Sequence, residues 1–228
     1  MDEKGIIERL ETLANPTNAE GMKHFGIQGK NILGISVPIL RKLSKEICTN
    51  HLLALKLWDA GIHESRILAT MVDDPLETTE RQLDMWAKEL DSWDICDHFC
   101  GNLVDKTPYA YEKAIQWSYQ GLEFTKRAGF SLMAVLAVHD KKAKDEKFYP
   151  FLDRIRDEAE DSRNFVKKAV NWALRQIGKR NQCLRIKAIQ TAEKILKSPS
   201  KTSHWIASDA LRELKNETKI ELMNSKLL

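Results

Sequence analysis

The apolar positions of this chain recur at intervals of three and four residues from one end of the sequence to the other. That spacing places apolar side chains on one face of an α-helix, and no convincing run of period two, which would indicate a β-strand, interrupts it. Ten glycines and six prolines punctuate the pattern, and most of the prolines fall near predicted helix starts or links, where a missing N–H costs little. The predicted helices cover residues 2–14, 18–26, 36–48, 51–60, 63–73, 76–89, 92–105, 109–119, 122–139, 146–159, 162–179, 182–197 and 202–216.

Three of these segments repeat at a fixed interval. In "FTKRAGFSLMAVL", "FVKKAVNWALRQI" and "WIASDALREL" a bulky residue is followed by polar residues and then by an alanine. Ala169 lies 41 residues after Ala128, and Ala210 lies 41 residues after Ala169. A period near 40 with two helices per unit is typical of HEAT-like repeats, in which each helix pair buries one face against the next. The sequence therefore predicts an all-α protein: one domain over residues 1–228, built as a right-handed superhelix of HEAT-like helical hairpins.

The composition agrees with a soluble globular chain. Hydrophobic residues make up 43% and charged residues 30%, which is enough apolar material for a continuous core. The sequence contains no run of about 18 apolar residues, and the opening "MDEKGIIERLETL" carries acids and bases where a signal peptide would need an apolar stretch. We expect a cytoplasmic protein without membrane attachment.

The four cysteines do not have the spacing of a metal site. No CxxC pair occurs, and no histidine lies at zinc-finger distance from a cysteine. Small buried thiols are the simpler interpretation. We therefore predict no metal and four buried free thiols: Cys48, Cys96, Cys100 and Cys183.

The formal net charge of +3 is too small to identify a polyanionic partner, so the distribution of the 36 lysines and arginines matters more. Basic residues collect on the predicted second helices of the pairs, whereas first-helix segments such as "FLDRIRDEAED" are acidic. One basic side of a nearly neutral protein suits a phosphate backbone, although solvated helix faces carry similar charges. The basic residues in question are Lys126, Arg127, Arg163, Lys167, Lys168, Arg175, Lys179 and Arg180.

The stretch "LDSWDICDHFCGNLV", residues 90–104, places an indole and a carboxylate one helical turn apart. Trp93 and Asp97 are four residues apart and so share a helix face. A tryptophan on an amphipathic helix is usually a core residue, so a structural role for Trp93 is the alternative. An unpaired carboxylate at position 97 would be costly if it were buried, which favours a functional role for Asp97.

The neighbouring polar residues have simpler interpretations. Asp91 and Asp94 flank the helix start, where carboxylates interact favourably with the helix dipole. His98 points to a different side of the helix from Asp97, which favours a packing or surface role over acid–base chemistry. The remaining tryptophans are predicted to be structural: Trp58, Trp86, Trp117 and Trp205.

Several segments together resemble the AlkD-like family of DNA alkylation repair proteins, which are HEAT-like-repeat DNA glycosylases. Three landmarks are "SWDICD" at 92–97, "TKRAGFSLMAVL" at 125–136 and "NFVKKAVNWALRQIGKRN" at 164–181. The stretches "LGISVPILRKLSKEI", 33–47, and "HWIASDALREL", 204–214, are also similar to the family. The match extends over nearly the whole chain in the right order.

The resemblance implies a set of functional residues and a substrate. The family's Trp-x-x-x-Asp pair falls on Trp93 and Asp97, its second lesion-facing tryptophan on Trp172, and its phosphate-contacting arginine on Arg127. The family excises cationic N-alkylated purines of the 3-methyladenine and 7-methylguanine type, without a metal or redox cofactor and without drawing the base into a pocket. The expected partner is duplex DNA containing alkylated bases, bound by a monomer. Further phosphate contacts are expected from Lys126, Lys168, Arg175 and Lys179.

The chemistry of a cationic lesion explains why so few groups would suffice. Ordinary glycoside hydrolysis uses two carboxyl groups because a neutral leaving group needs an acid. An N3- or N7-alkylated purine already carries positive charge, so Asp97 alone is expected to stabilise the oxocarbenium-like sugar and to position water. The indole faces of Trp93 and Trp172 would hold the cation, each contact contributing roughly 0.5–2 kcal/mol.

Two features leave an alternative open. The segment "HDKKAKDEKFYP", 139–150, is longer than the family's usual linker, which would shift the stack between Arg127 and Trp172. Some branches of the family share the fold without the activity. The alternative is a non-enzymatic HEAT-like module that binds damaged or branched DNA, or a protein, on its concave face; only the enzyme requires Asp97.

Overall fold

The computed structural model describes residues 2–27 and 31–216, and over these residues the chain is helical without a β-strand. Each of the thirteen predicted helices is confirmed, with ends displaced by a few residues. Two short 3-10 helices, Val104–Lys106 and Asp145–Phe148, lie between them. The α-helices are α1 (Glu3–Thr12), α2 (Pro16–His24), α3 (Val37–Ile47), α4 (His51–Asp59), α5 (His63–Val72), α6 (Glu80–Lys88), α7 (Trp93–Asn102), α8 (Ala110–Ser118), α9 (Glu123–His139), α10 (Tyr149–Asp157), α11 (Asn164–Arg180), α12 (Gln182–Ile195) and α13 (Lys201–Leu214).

Capping residues set many of the helix starts. A side-chain oxygen of the capping residue accepts a hydrogen bond from the backbone N–H three residues later, which satisfies an otherwise unpaired donor of the first turn. Thr79 does this for Gln82 at 3.2 Å, and α6 therefore begins at Glu80 rather than at the predicted position 76. The residues that cap in this way are Asp2, Asn15, Asn50, Thr79, Asn181 and Ser200.

The chain divides into two compact units, Met1–Ala110 and Tyr111–Leu228. In the first unit, α4 and α5 form a hairpin, and α5 also packs against α3 and α7. The indoles of Trp58 and Trp86 stack in its core with ring centroids 4.1 Å apart. That residues 1–228 form one domain stays a prediction.

In the second unit, α11 packs between α9 and α13. These three helices carry the 41-residue repeat. Ala128, Ala169 and Ala210 are all completely buried, as their common register predicted. Gly129 explains how closely α8 approaches α9, because a Cβ at this position would lie 2.4 Å from the backbone nitrogen of Ser118. Only glycine leaves room for that backbone contact.

The segment 139–150 packs onto the second unit. Arg180, at the end of α11, donates hydrogen bonds to the backbone carbonyls of Ala137 at 3.1 Å and Ala143 at 2.8 Å. Its guanidinium also lies 4.8 Å from the ring centroid of Phe148. Arg180 therefore anchors this segment through its guanidinium, whereas its sequence position suggested a phosphate contact.

The prediction of four buried thiols is wrong for two of them. Cys96 and Cys100 are buried, but Cys48 and Cys183 are exposed, and none of the four is in a disulfide bond. Cys48 follows the last turn of α3 with a φ of 64°, so it leaves the helix rather than continuing its apolar face. None of the helices within residues 2–27 and 31–216 combines the length and apolarity needed to cross a membrane.

Candidate nucleic-acid interface

Trp93 and Asp97 lie on the partly exposed face of α7. Both side chains are half-buried, so neither is a core residue. The opposite face of α7 supplies the apolar contacts, which come from Ile95, Cys96, Phe99 and Cys100. The sequence prediction that an indole and a carboxylate share an accessible helix face therefore fits the geometry of this helix.

The indole of Trp93 is held by a contact that the sequence did not reveal. Its Nε1–H donates a hydrogen bond of 3.0 Å to the backbone carbonyl of Phe25, the residue that follows α2. The Phe25 side chain is 73% exposed. Two aromatic residues thus lie together in the first unit, and Phe25 is a candidate that sequence reasoning missed because its partner is 68 residues away.

Asp94 lies at the helix start, as its sequence position suggested, and it also has a partner that the sequence did not reveal. It lies in the first turn of α7, but its carboxylate accepts from Ser92 Oγ at 2.7 Å and binds His63 Nε2 at 2.7 Å. Burial opposes the charge of Asp94, yet the hydrogen bonds and charge of His63 and Ser92 hold its pKa below the ordinary value. Burial likewise opposes the charge of His63, but Asp94 and Glu64 raise the pKa of that imidazole. Asp94 is a half-buried partner of His63 as well as a carboxylate in the first turn of α7.

Glu64, adjacent to His63 on α5, fixes the chain segment that precedes α3. Its Oε1 accepts from the backbone N–H groups of Gly34 at 2.6 Å and Ile35 at 3.2 Å, and its Oε2 accepts from Leu33 at 2.9 Å. A buried carboxylate that satisfies three backbone donors is a structural clamp.

The same residues line a cavity of about 390 Å³ in the first unit. We call it the α2–α7 cavity. It lies among α2, residues 34–37, α5 and α7, and its polar lining includes His63, Glu64 and Asp94. The imidazole Nδ1 of His63 has no hydrogen-bond partner among the described residues. The apolar side chains around the cavity are Met22, Phe25, Ile35, Val37 and Ile67.

His98 fits the packing role that the sequence favoured. Its Nδ1 lies 3.3 Å from Asn102 Nδ2, and that amide also donates to Thr70 Oγ1 at 3.0 Å. Burial lowers the pKa of His98 below its ordinary value, despite the nearby carboxylates of Asp94 and Asp97. A neutral imidazole that accepts from Asn102 is part of the packing between α5 and α7.

In the second unit, one face of α11 carries four of the predicted site residues: Lys168, Trp172, Arg175 and Lys179 recur at helical spacing. Trp172 is half-buried. Glu213 of α13 binds Arg175 Nη1 at 2.5 Å and Lys179 Nζ at 3.0 Å. Burial opposes the charge of Glu213, but these two cations lower its pKa. Much of the positive charge at this end of the face is therefore neutralised.

The predicted contacts on α9 are also engaged within the second unit. Arg127 is buried, and its Nη1 donates to the carbonyl of Phe165 at 2.8 Å. Lys126 Nζ binds Glu158 at 2.7 Å and Asp161 at 3.5 Å. Among the predicted phosphate-binding residues, Lys168 is the exposed one that makes no ion pair with a described residue. Lys168 is consequently the clearest candidate for a phosphate contact.

One of the tryptophans predicted to be structural is not in the core. Trp58, Trp86 and Trp117 are buried, but Trp205 on α13 is 43% exposed. Lys167 Nζ lies 5.4 Å from its ring centroid. The expectation was wrong because Trp205 belongs to the outer face of α13, whose core side is formed by Ala210 and its neighbours.

The predicted site residues are distributed over both units. Trp93 and Asp97 belong to the first unit, and Arg127 and Trp172 belong to the second. Each lies on the second helix of its pair, but their convergence on one concave surface stays a prediction. Within the described parts of the chain, no group of three or more His, Cys, Asp or Glu side chains is arranged to hold a metal ion.

Comparison with known proteins defines the class of this helical-repeat chain. A family model described as "DNA alkylation repair enzyme" matches residues 6–214, so the chain belongs to that family. A solved structure described as "A new family of proteins related to the HEAT-like repeat DNA glycosylases with affinity for branched DNA structures" is similar, with a TM-score of 0.77 at 21% identity. The similarity covers 93% of this chain and 95% of the other, and it shows a HEAT-like repeat fold. Comparison with curated proteins gave no significant match.

Proposed function

We propose that this protein is a monofunctional DNA glycosylase that excises positively charged N-alkylated purines from duplex DNA. The observation that carries the proposal is the position of Trp93 and Asp97 on an accessible face of α7 in a member of the DNA alkylation repair enzyme family. We also propose that it acts as a monomer in the cytoplasm. Its proposed substrates are lesions of the 3-methyladenine and 7-methylguanine type.

Asp97 supplies the negative charge that the reaction needs. As the glycosidic bond lengthens, positive charge moves from the purine to the deoxyribose, and a fixed carboxylate stabilises it more in the transition state than in the ground state. The same carboxylate orients the attacking water. No proton donor to the base is required, because the leaving purine departs as a neutral molecule.

Trp93 contributes position and electrostatics. Its ring orientation is set by the Phe25 carbonyl, so little side-chain freedom is lost when a nucleotide binds against the ring. An electron-rich indole face attracts a cationic base more strongly than a neutral one. Trp172 is proposed to make the equivalent contact from α11.

The charge of the lesion provides the direct test of this proposal. Single-turnover assays on two duplexes, one carrying 7-methylguanine and the other 8-oxoguanine, should show release of the methylated base only. The neutral base needs a general acid that the proposed site does not supply. Equal release of both bases, or release of neither, would contradict the proposed chemistry.

A second candidate function is binding of branched DNA without catalysis. One observation favours it: the similar solved structure is described as having affinity for branched DNA. Equal-length duplex and four-way-junction DNA distinguish the two candidates. Tighter junction binding combined with no base release would favour the binding module.

Phosphate contacts should make binding depend on salt, and Lys168 is the residue to test. Each phosphate contact that is lost lowers the slope of log affinity against log salt by about 1. We expect this change for Lys168→Ala, measured by fluorescence anisotropy at several salt concentrations. Lys88→Ala is the matched control, because Lys88 is an exposed lysine on the first helix of a pair and lies outside the proposed interface. Equal slopes for the Lys168→Ala and Lys88→Ala proteins would remove Lys168 from the interface.

A further inference from the structure

We propose that Trp205, together with Lys167 and Lys168, binds the sugar–phosphate backbone of duplex DNA, which extends the interface from α11 onto α13. We call these three residues the α11–α13 patch. The inference rests on the proposed function only in taking DNA as the partner. It goes beyond that function, because neither the excision chemistry nor the predicted phosphate contacts involve a residue of α13.

The indole of Trp205 differs from those that the fold uses. Trp58 donates its indole N–H to Glu89 Oε2 at 2.7 Å, and Trp93 donates to a backbone carbonyl at 3.0 Å. Among the residues that the structure describes, none accepts a hydrogen bond from Trp205 Nε1–H. The exposed ring therefore offers an apolar face and an unused donor to a partner molecule.

Lys167 lies beside this indole. Its Nζ is 5.4 Å from the Trp205 ring centroid, so α11 and α13 bring a cation and an aromatic ring together at this point. Such a contact is weak at an exposed site, and it leaves the ammonium N–H groups available to phosphate oxygens. The two helices are fixed here by the buried Asn171, whose Nδ2 donates to the carbonyl of Ile206 at 3.1 Å. The patch therefore has a rigid base.

The charge of the α11–α13 patch is positive, in contrast to the later turns of the same two helices. The sequence of α11 contains no carboxylate. The two carboxylates of α13, Asp209 and Glu213, bind cations from later turns of α11, namely Arg175 and Lys179. Neither lysine of the patch makes an ion pair with a described residue. Adjacent cations that lack a carboxylate partner suit a polyanion.

The groups of the patch fit the DNA backbone better than they fit the edges of bases. Two ammonium groups and one indole N–H are all donors, which suits phosphate oxygens. The apolar face of the Trp205 ring suits the C–H groups of deoxyribose, which lie between successive phosphates. Because the backbone has the same chemistry at every nucleotide, we expect this contact to be independent of sequence.

Affinity for an unmodified duplex tests the contribution of each side chain. By fluorescence anisotropy, Trp205→Ala should bind about tenfold more weakly than the wild-type protein, as expected for truncating an interface tryptophan. Its slope of log affinity against log salt should be unchanged because an indole carries no charge, whereas Lys167→Ala should lower the slope by about 1. Tyr119→Ala is the matched control and should bind as the wild-type protein does. Tyr119 is an exposed aromatic residue of the second unit, and its ring also contacts a cation, the guanidinium of Arg154.

A direct measurement on the wild-type full-length protein keeps the proposal testable even if Trp205→Ala fails to fold. The indole N–H resonance of Trp205, assigned as the one missing from the Trp205→Phe spectrum, should shift when unmodified duplex is added. The buried indoles of Trp58 and Trp86 are internal references whose resonances should stay in place. Inorganic phosphate alone should leave the Trp205 resonance unchanged, because it supplies neither the sugar nor the neighbouring phosphates.

Several outcomes would overturn the patch as a backbone contact. They are an unmoved Trp205 resonance at saturating duplex, equal affinities of the Trp205→Ala and Tyr119→Ala proteins, or a larger shift with a single strand than with the duplex, which would indicate base stacking. Both measurements use unmodified DNA, so they do not depend on excision. A shifted Trp205 resonance without release of 7-methylguanine would support the patch and contradict the proposed enzyme, whereas release with an unmoved resonance would do the reverse.

Discussion

The Asp97→Asn protein should keep its fold and most of its DNA affinity while losing a factor of about 10²–10³ in the single-turnover rate of 7-methylguanine release. Asparagine has nearly the same shape as aspartate, so the packing of α7 is preserved. It lacks the negative charge that stabilises the developing oxocarbenium ion. Rapid-quench measurement of base release, with DNA affinity measured separately, separates the chemical step from binding.

Asp59→Asn is the matched control for this experiment. Asp59 is an exposed carboxylate at the end of α4 in the same unit, and its replacement changes the net charge by the same amount. We expect the Asp59→Asn rate to equal that of the wild-type protein. Full activity of Asp97→Asn would leave Trp93 and Asp97 as structural residues of α7 and would favour the branched-DNA binding module.

The helical architecture could be predicted because its signal is local. Apolar periodicity of three to four residues reports one buried face per helix, and the helices repeat because each pair needs a neighbour to cover that face. Ala128, Ala169 and Ala210 illustrate this: their 41-residue spacing predicted equivalent buried positions, and all three are buried.

The polar network around the candidate site could not be predicted, because its contacts connect residues far apart in the sequence. His63 and Asp94 are separated by 31 positions, and Glu64 binds backbone groups up to 31 positions away. Neither pairing leaves a periodic signal in the sequence. Asp94 was therefore interpreted from its neighbours as a helix-start carboxylate, although its partner lies on α5.

The basic residues show the same limit. Lysine and arginine on second helices indicated a positive surface, and the sequence alone could not show which of them face a carboxylate of the next helix. Arg175 meets Glu213, 38 residues later, and Lys126 meets Glu158, 32 residues later. Lys168 has no such partner within residues 2–27 and 31–216, and this difference is visible only once the helices are packed.

The largest expected effect on stability comes from Glu64→Ala. This substitution removes the acceptor of three backbone N–H groups, those of Leu33, Gly34 and Ile35, in the segment that precedes α3. Two of these donors, on Gly34 and Ile35, are buried, and each unsatisfied buried donor costs about 1–3 kcal/mol, so we expect the free energy of unfolding to fall by at least about 2 kcal/mol. The backbone at Gly34 is tightly constrained. Its φ is +76°, and an added Cβ would lie 2.2 Å from the Asn15 carbonyl oxygen. The segment therefore has little room to shift and find other acceptors.

Urea unfolding followed by circular dichroism checks this prediction. Glu77→Ala is the control, because Glu77 is an exposed glutamate of the same unit and its replacement should leave the unfolding midpoint almost unchanged. A Glu64→Ala protein as stable as Glu77→Ala would mean that other groups replace the carboxylate as acceptor for these amides.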